Sequence, residues 1–419
     1  MNDLIINEAT ELTWEEDCLP IETPEIEAPL QEQSAAVKAE PTADTPPTIE
    51  QINEIVLESS LSPIAGWMSD PEITDILVYG KERVYYRKRG SGFKRDFNAF
   101  WETDADILTA AKTIARRMGR KISNRDPILD ARLPDKSRVN VIVEPCYHPG
   151  AFIAIRKFPE EHFTLDDLAR FGSIDSAGTT ILETIMRYGQ NILIAGGTGS
   201  GKTTLLNSLC GFIPPHEVVV TVEDAREICV PCELWAPLET KHAVDNEDRE
   251  ISLRDLIRTS LRMNPRWVIV GEVRGKEAFD LVRAFNTGHY GAGTIHANSA
   301  FDALDALEML VLLSGLDVPP RAIKGLVSRT IHIVIHVNAL PDHSRVVSEI
   351  VEVEGLDYER SPTLPPYKTR TLYEYQFDRY DANGKAVGKF VVKEPPSWVN
   401  KLKRIPNFIM PDFWQNKGE

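Results

Sequence analysis

Asn191-Ile192-Leu193-Ile194-Ala195-Gly196-Gly197-Thr198-Gly199-Ser200-Gly201-Lys202-Thr203-Thr204-Leu205-Leu206 decides how the rest of the chain is read. Residues Gly196 to Thr203 spell G-x-x-x-x-G-K-[ST] between a continuous apolar run and a helical pattern carrying Leu205, Leu206 and Leu209, the context a phosphate-binding loop requires. The glycines let successive backbone N–H groups turn toward one phosphate, and the following helix N-terminus adds its partial positive charge. Lys202 supplies a point charge to the β- and γ-phosphates, and the Thr203 hydroxyl suits Mg²⁺, which favours hard oxygen ligands. Gly196, Gly197, Thr198, Gly199, Ser200, Gly201, Lys202, Thr203 and Thr204 are therefore the nucleotide-binding candidates, with ATP the expected ligand and Mg²⁺ the expected cofactor.

Working outward, short apolar runs recur at Val218–Val222, Trp267–Val270 and Gly293–His296. Helix-start signals lie between and after them, at Ser252 with Asp255 and at Ser299 with Asp302. Continuous apolar strands separated by helices predict an α/β unit with a parallel sheet covered on both faces. The run Trp267–Glu272 ends in a carboxylate, which places Glu272 near the phosphates, suited to hold a metal-bound water. Thr221–Glu227 runs into an acidic cluster in which Glu223 or Glu227 could orient the attacking water. His289 and His296 flank the strand at Gly293–His296, where an imidazole could sense a phosphate. Cys229 and Cys232 have zinc-like or redox-like spacing, but no second pair completes a four-thiolate site.

Ahead of the loop, Ile73–Val78 and Val84–Tyr86 read as strands about Gly80-Lys81, with another turn at Gly90-Ser91-Gly92. Ile107, Leu108, Ala111, Ile114, Ala115 and Met118 repeat at helical spacing until Gly119, and strands follow at Arg138–Val143 and Phe152–Lys157. Residues 51–160 thus read as a smaller α+β N-terminal domain, joined by a linker around Pro159–Ser173 to the α/β domain of 161–355. The remainder, 356–419, reads as a small C-terminal extension with one hairpin, Thr371–Phe377 and Ala386–Lys393, across Asn383-Gly384.

Of the 16 net negative charges, 12 fall in residues 1–50, which hold 13 acidic side chains against Lys38 alone. That segment is too poor in aromatic and β-branched residues to offset the entropy of ordering, so a disordered acidic tail is expected. The acidic balance argues against nucleic acid as a partner. No apolar run is long enough to span a bilayer and the start lacks a signal-peptide layout, so a cytoplasmic location is expected. Five cysteines, an odd count in a long chain, point to reduced thiols.

Four ordered segments together resemble the type II/type IV secretion ATPase superfamily. They are Gly196–Thr203, Thr221–Glu227, Leu261–Pro265 leading to Val270–Gly275, and Asn286–His289 leading to Thr294–Asn298. Asp130–Asn140 and Ile155–Phe158 further resemble its CpaF branch, from tight-adherence pilus systems. The resemblance covers roughly residues 60–355 and implies a RecA-like P-loop NTPase domain. It makes Gly196–Thr203 the Walker A loop, Thr221–Glu227 the Asp box, Trp267–Glu272 the Walker B strand and Gly288–Asn298 the His box. Glu227, Glu223, Glu272 and His296 are then the catalytic candidates, with Glu227 preferred as base and Thr203 and Glu272 at the Mg²⁺. His289 is carried as nucleotide-binding, and N-domain arginines, here Arg138 and Arg156, are expected to reach the γ-phosphate.

The resemblance further implies a homohexamer that docks on an inner-membrane platform protein and powers pilus assembly or secretion. A pilus-retraction or DNA-conjugation motor is the alternative within the superfamily, and a non-hydrolysing nucleotide-gated scaffold the alternative outside it. The single C-x-x-C departs from the general-secretion branch, which commonly carries a pair.

Overall fold

The computed structural model describes residues 59–88, 91–157, 163–241, 249–315, 317–361, 363, 366–403 and 408–415. The acidic segment 1–50, Gly90 and residues 159–162 of the expected linker lie outside them. No helix among the described residues is long and apolar enough to cross a membrane.

The first sheet joins β1 (Ile73–Tyr79), β2 (Arg83–Lys88), β3 (Phe93–Asp96), β4 (Ile128–Arg132), β5 (Arg138–Ile142) and β6 (Phe152–Arg156) in the order β3-β2-β1-β6-β5-β4. Every pairing in it is antiparallel. Side chains alternate between faces, so Ile76, Val78, Val84, Val139, Val141, Ile153 and Ile155 all turn inward. They meet Ile107, Ala110, Ala111 and Ile114 of the helix Asp104–Arg117, which a reciprocal Thr103–Asp106 capping box starts. Neither β3 nor β4 was anticipated, because Phe-Lys-Arg-Asp is solvent-facing and β4 carries a central Asp130.

The same alternation puts the polar residues on the outer face, and register lines them up. Arg87, Asp75, Arg156, Arg138 and Arg132 are successive cross-strand partners on β2, β1, β6, β5 and β4.

The second sheet holds β7 (Ile192–Gly196), β8 (Val219–Glu223), β9 (Trp235–Glu239), β10 (Trp267–Val273), β11 (Tyr290–Ile295), β12 (Ile333–Ala339), β13 (Arg345–Leu356), β14 (Tyr367–Tyr380) and β15 (Ala386–Val392). Its order is β15-β14-β13-β12-β7-β11-β10-β8-β9, parallel from β12 to β9 and antiparallel from β13 outward. Both faces are covered: Ile192 and Ile194 of β7 enter one core cluster, Leu193 and Ala195 the other. Each fully buried aliphatic side chain contributes roughly 1.5–3 kcal/mol, which holds a strand without polar alternation at the centre of a sheet.

The expected linker includes a short helix, Leu165–Arg170, begun by a Thr164–Asp167 capping box. The C-terminal hairpin is no separate appendage, since β14 and β15 extend the second sheet. Trp398, Leu402 and Trp414 are buried in one of its core clusters, with Trp398 stacked on Tyr188.

Candidate active site

Parallel pairing brings the ends of β7, β11, β10 and β8 to one edge of the second sheet, where ligands of open parallel sheets bind. β7 ends in Gly196, whose φ of 158° and whose neighbour, the Val337 carbonyl 2.3 Å from where a Cβ would lie, exclude any side chain. The loop then turns into the helix Lys202–Cys210. Lys202 folds back over the loop, its Nζ 3.0 Å from the carbonyls of Gly196 and Gly197 and 3.3 Å from Nδ1 of His296. Burial depresses its pKa, and Glu272 opposes that shift.

Glu272 lies on β10 between Val270 and Val273, where the pairing with β11 shifts register, a bulge that re-aims the side chain. One of its carboxylate oxygens takes a close hydrogen bond from Arg274; the other lies 2.6 Å from His296 Nε2, without hydrogen-bond alignment, and is buried. Burial alone would raise its pKa, but Arg274, His296 and Lys202 outweigh that and hold it below the usual range. Glu277, buried in the next helix, accepts from the N–H groups of Arg274 and Gly275 and fixes the segment after Glu272.

Glu223 ends β8 and is 2 % exposed. Its Oε1 accepts the backbone N–H groups of Glu227 (2.8 Å) and Ile228 (3.0 Å), shaping the acidic loop, and its buried Oε2 has no partner among the described residues. Burial pushes its pKa up to about 7 against those two hydrogen bonds. The neighbouring strand leaves room for it at Gly271, where a Cβ would come within 3.0 Å of Glu223 Cγ. Asn207, on the helix after the loop, ties the acidic segment down by donating to the Glu227 carbonyl and accepting from Cys229 N–H. Cys229 and Cys232 are free thiols.

A cavity of about 710 Å³ joins this edge to the outer face of the first sheet. The arginine row lines it together with Thr198 to Thr204, Glu223, Glu227, Glu272 and His296. Within the row the arginines differ. Buried Asp75 accepts from Arg87 at 2.6 Å and 2.9 Å and from Arg156 at 3.2 Å, and stays ionised although burial opposes it. Arg132 makes a two-pronged pair with Glu239 at 2.8 and 2.9 Å. Arg138 has only a loose contact, 3.6 Å from Glu227.

One expected site residue stands apart. His289 precedes β11, at the end of the sheet remote from the loop, where its ring lies 2.9 Å from the Pro265 carbonyl. The whole of β11 separates it from His296, and it is not among the residues that line the cavity. Arg87, Asn207, Arg274 and Arg345 carried no assigned role in the sequence reading and line the cavity. Only Arg274, two residues beyond Glu272, had a local signal.

The type II/IV secretion system protein family model matches residues 58–358. The type IV secretion system protein PtlH of Bordetella pertussis is 32% identical over 301 residues, covering 66% of this chain and 88% of that protein. An uncharacterized protein of Methanocaldococcus jannaschii is 30% identical over 324 residues, 76% of this chain; the chain spans only 56% of that relative's length. The X-ray structure of the Yersinia pseudotuberculosis ATPase DotB, 17% identical, aligns with a TM-score of 0.51 over 75% of this chain and 82% of that one, a likeness of fold.

Proposed function

The chain belongs to the type II/IV secretion system protein family, and from that premise we propose that it hydrolyses ATP as the motor of a pilus or secretion apparatus. One observation carries the reading. Beside one phosphate-binding loop, two carboxylates on neighbouring strands are pushed to opposite protonation behaviour, Glu223 up to about 7 and Glu272 below its usual range. Pairs of groups driven apart in this way mark a division of acid–base labour.

Glu272, kept ionised, and the Thr203 hydroxyl form a hard-oxygen set that suits Mg²⁺, and the buried oxygen of Glu272 that takes no hydrogen bond, 2.6 Å from His296 Nε2, fits a metal-bound water. Bound there, the ion would offset phosphate charge. Glu223, whose carboxyl pKa is pushed up to about 7 and whose Oε2 has no partner among the described residues, takes the role of base for the attacking water in preference to Glu227, which faces Arg138. His296 links Lys202 to Glu272 and so couples the state of the γ-phosphate to the Walker B carboxylate. Arg138, the arginine of the row with the weakest carboxylate hold, stabilises transition-state charge; Arg156 is retained by Asp75 and shapes the wall.

The finer reading is a homohexamer of the CpaF type, with an N-terminal domain at 51–160 and a RecA-like domain at 161–355 whose sheet the extension at 356–419 continues. It works from the cytoplasm, docked on an inner-membrane platform protein. Steady-state Mg-ATP hydrolysis across protein concentrations tests it, with Lys202→Ala as control. Turnover that rises with concentration supports catalysis in an assembled ring, and nucleotide binding without turnover replaces the motor with a nucleotide-gated scaffold. Co-purification with a membrane platform protein tests the docking.

A further inference from the structure

β12 runs parallel to β7, and β13 returns antiparallel after the tight turn Leu340–Ser344. That return places Arg345, the first residue of β13, at the edge of the sheet that carries the phosphate-binding loop. Its Nε donates to the Gly199 carbonyl at 2.9 Å, and its Cδ lies 3.3 Å from where a Cβ on Gly201 would be. The side chain therefore rests along the loop on the side away from Glu272.

The charged group that acts on it is another cation, Arg87. Among the described residues no carboxylate pairs with Arg345, in contrast to Arg87, Arg132, Arg156 and Arg274, each of which meets an Asp or Glu. Although the residue as a whole is exposed, covering of its guanidinium first and the nearby Arg87 second lower its pKa. An arginine held by one carbonyl, beside a second cation and a phosphate-binding loop, is arranged for an anion that both can share.

We propose that Arg345 is a second cationic arm of the phosphate site, fixing the loop through the Gly199 carbonyl while its Nη groups hold the phosphate oxygens of the bound nucleotide. The proposal rests on the reading of the chain as an ATPase. Its contribution is to the affinity for the phosphate chain common to ATP and ADP, whereas Arg138 acts on the charge that develops during transfer.

The test uses the full-length chain and compares Arg345→Ala, Arg345→Lys and Lys202→Ala. KM and kcat for Mg-ATP are measured, together with Mg-ADP affinity by calorimetric titration. Arg345→Ala is expected to raise KM and weaken ADP binding by about tenfold each, the scale of one charge-assisted contact, with the loss falling on KM rather than kcat. Arg345→Lys keeps the charge without the fork and is expected to recover about half of that loss on a logarithmic scale. It also serves as the folded variant should Arg345→Ala melt before the wild type. ADP affinity at the wild-type level in both variants, while Lys202→Ala abolishes binding, overturns the proposal. So does a loss confined to kcat. If Lys202→Ala leaves binding and turnover intact, the ATPase reading itself fails.

Discussion

The two sheets build opposite walls of one cavity by different rules. In the second sheet, the loop, His296, Glu272 and Glu223 come from the ends of β7, β11, β10 and β8, so each is announced by the apolar strand that precedes it. In the first, Arg87, Asp75, Arg156, Arg138 and Arg132 come from five strands, and only cross-strand register makes them a row. The walls differ in chemistry as well. The parallel edge offers a lysine, two carboxylates and an imidazole; the antiparallel face offers arginines graded by how tightly acids hold them. On the proposed function, the parallel edge contacts phosphate and the antiparallel face supplies charge stabilisation.

The sharpest break between the walls is Lys202→Ala, expected to lower ATP turnover by about 10⁴-fold, because it removes the charge that binds the transferred group in ground and transition states. Steady-state phosphate release reads it. On the opposite wall, Arg138→Ala should cost about 10³-fold in kcat with little change in KM, and Arg156→Ala much less, since Asp75 already engages Arg156. Equal losses at both positions would erase the gradation within the row. Mixing Arg138→Ala with Lys202→Ala chains tells whether the row serves its own loop: recovered turnover means it reaches a neighbour's.

Glu223→Gln should lower turnover by about 10²-fold and, more tellingly, change its pH dependence. Burial raises the Glu223 pKa from 4.5 to about 7, so below that pH the group holds its proton and cannot accept another. Wild-type activity should therefore climb as pH rises through about 7, and the variant should lack that limb. A limb that persists in Glu223→Gln but vanishes in Glu227→Gln returns the base to Glu227.

Asp75→Asn sharpens the comparison on the antiparallel face. It leaves Arg87 and Arg156 without their shared carboxylate, but both remain partly solvated, so the expected destabilisation is about 2 kcal/mol and the loss of turnover about tenfold. Thermal unfolding and kcat check the two halves. Smallest of all is Gly384→Ala in the β14–β15 turn. Its φ of 76° makes a side chain costly by about 1 kcal/mol, while turnover should stay within about twofold, because the turn lies at the far edge of the sheet.

Legibility followed the same division. The helix starts at Ser252–Asp255 and Ser299–Asp302, the β7 strand and the loop are local patterns in which neighbours in sequence are neighbours in space. The sequence pattern marks β11 only at Gly293–His296, because Tyr-Gly-Ala-Gly weakens it, and so sets His289 nearer to His296 than the full strand does. The β14–β15 hairpin was recognised as a hairpin. Its place at the edge of the main sheet was not, since polar alternation gives the pairing period and not the partner.

Sequence alone determined the loop motif, the apolar strands and helix starts that mark an α/β unit, and the carboxylate and histidine segments, because each is a pattern within a few residues along the chain. Tertiary structure alone decided the surroundings that set the charge of each of those groups. Glu223 titrates near neutrality because folding buries it, and Glu272 stays ionised because Arg274, His296 and Lys202 converge on it. Arg345 reaches the loop from 146 residues away because an antiparallel return brings it there. Charge interactions depend on distance and burial in space, and neither is written in the spacing of residues along a chain.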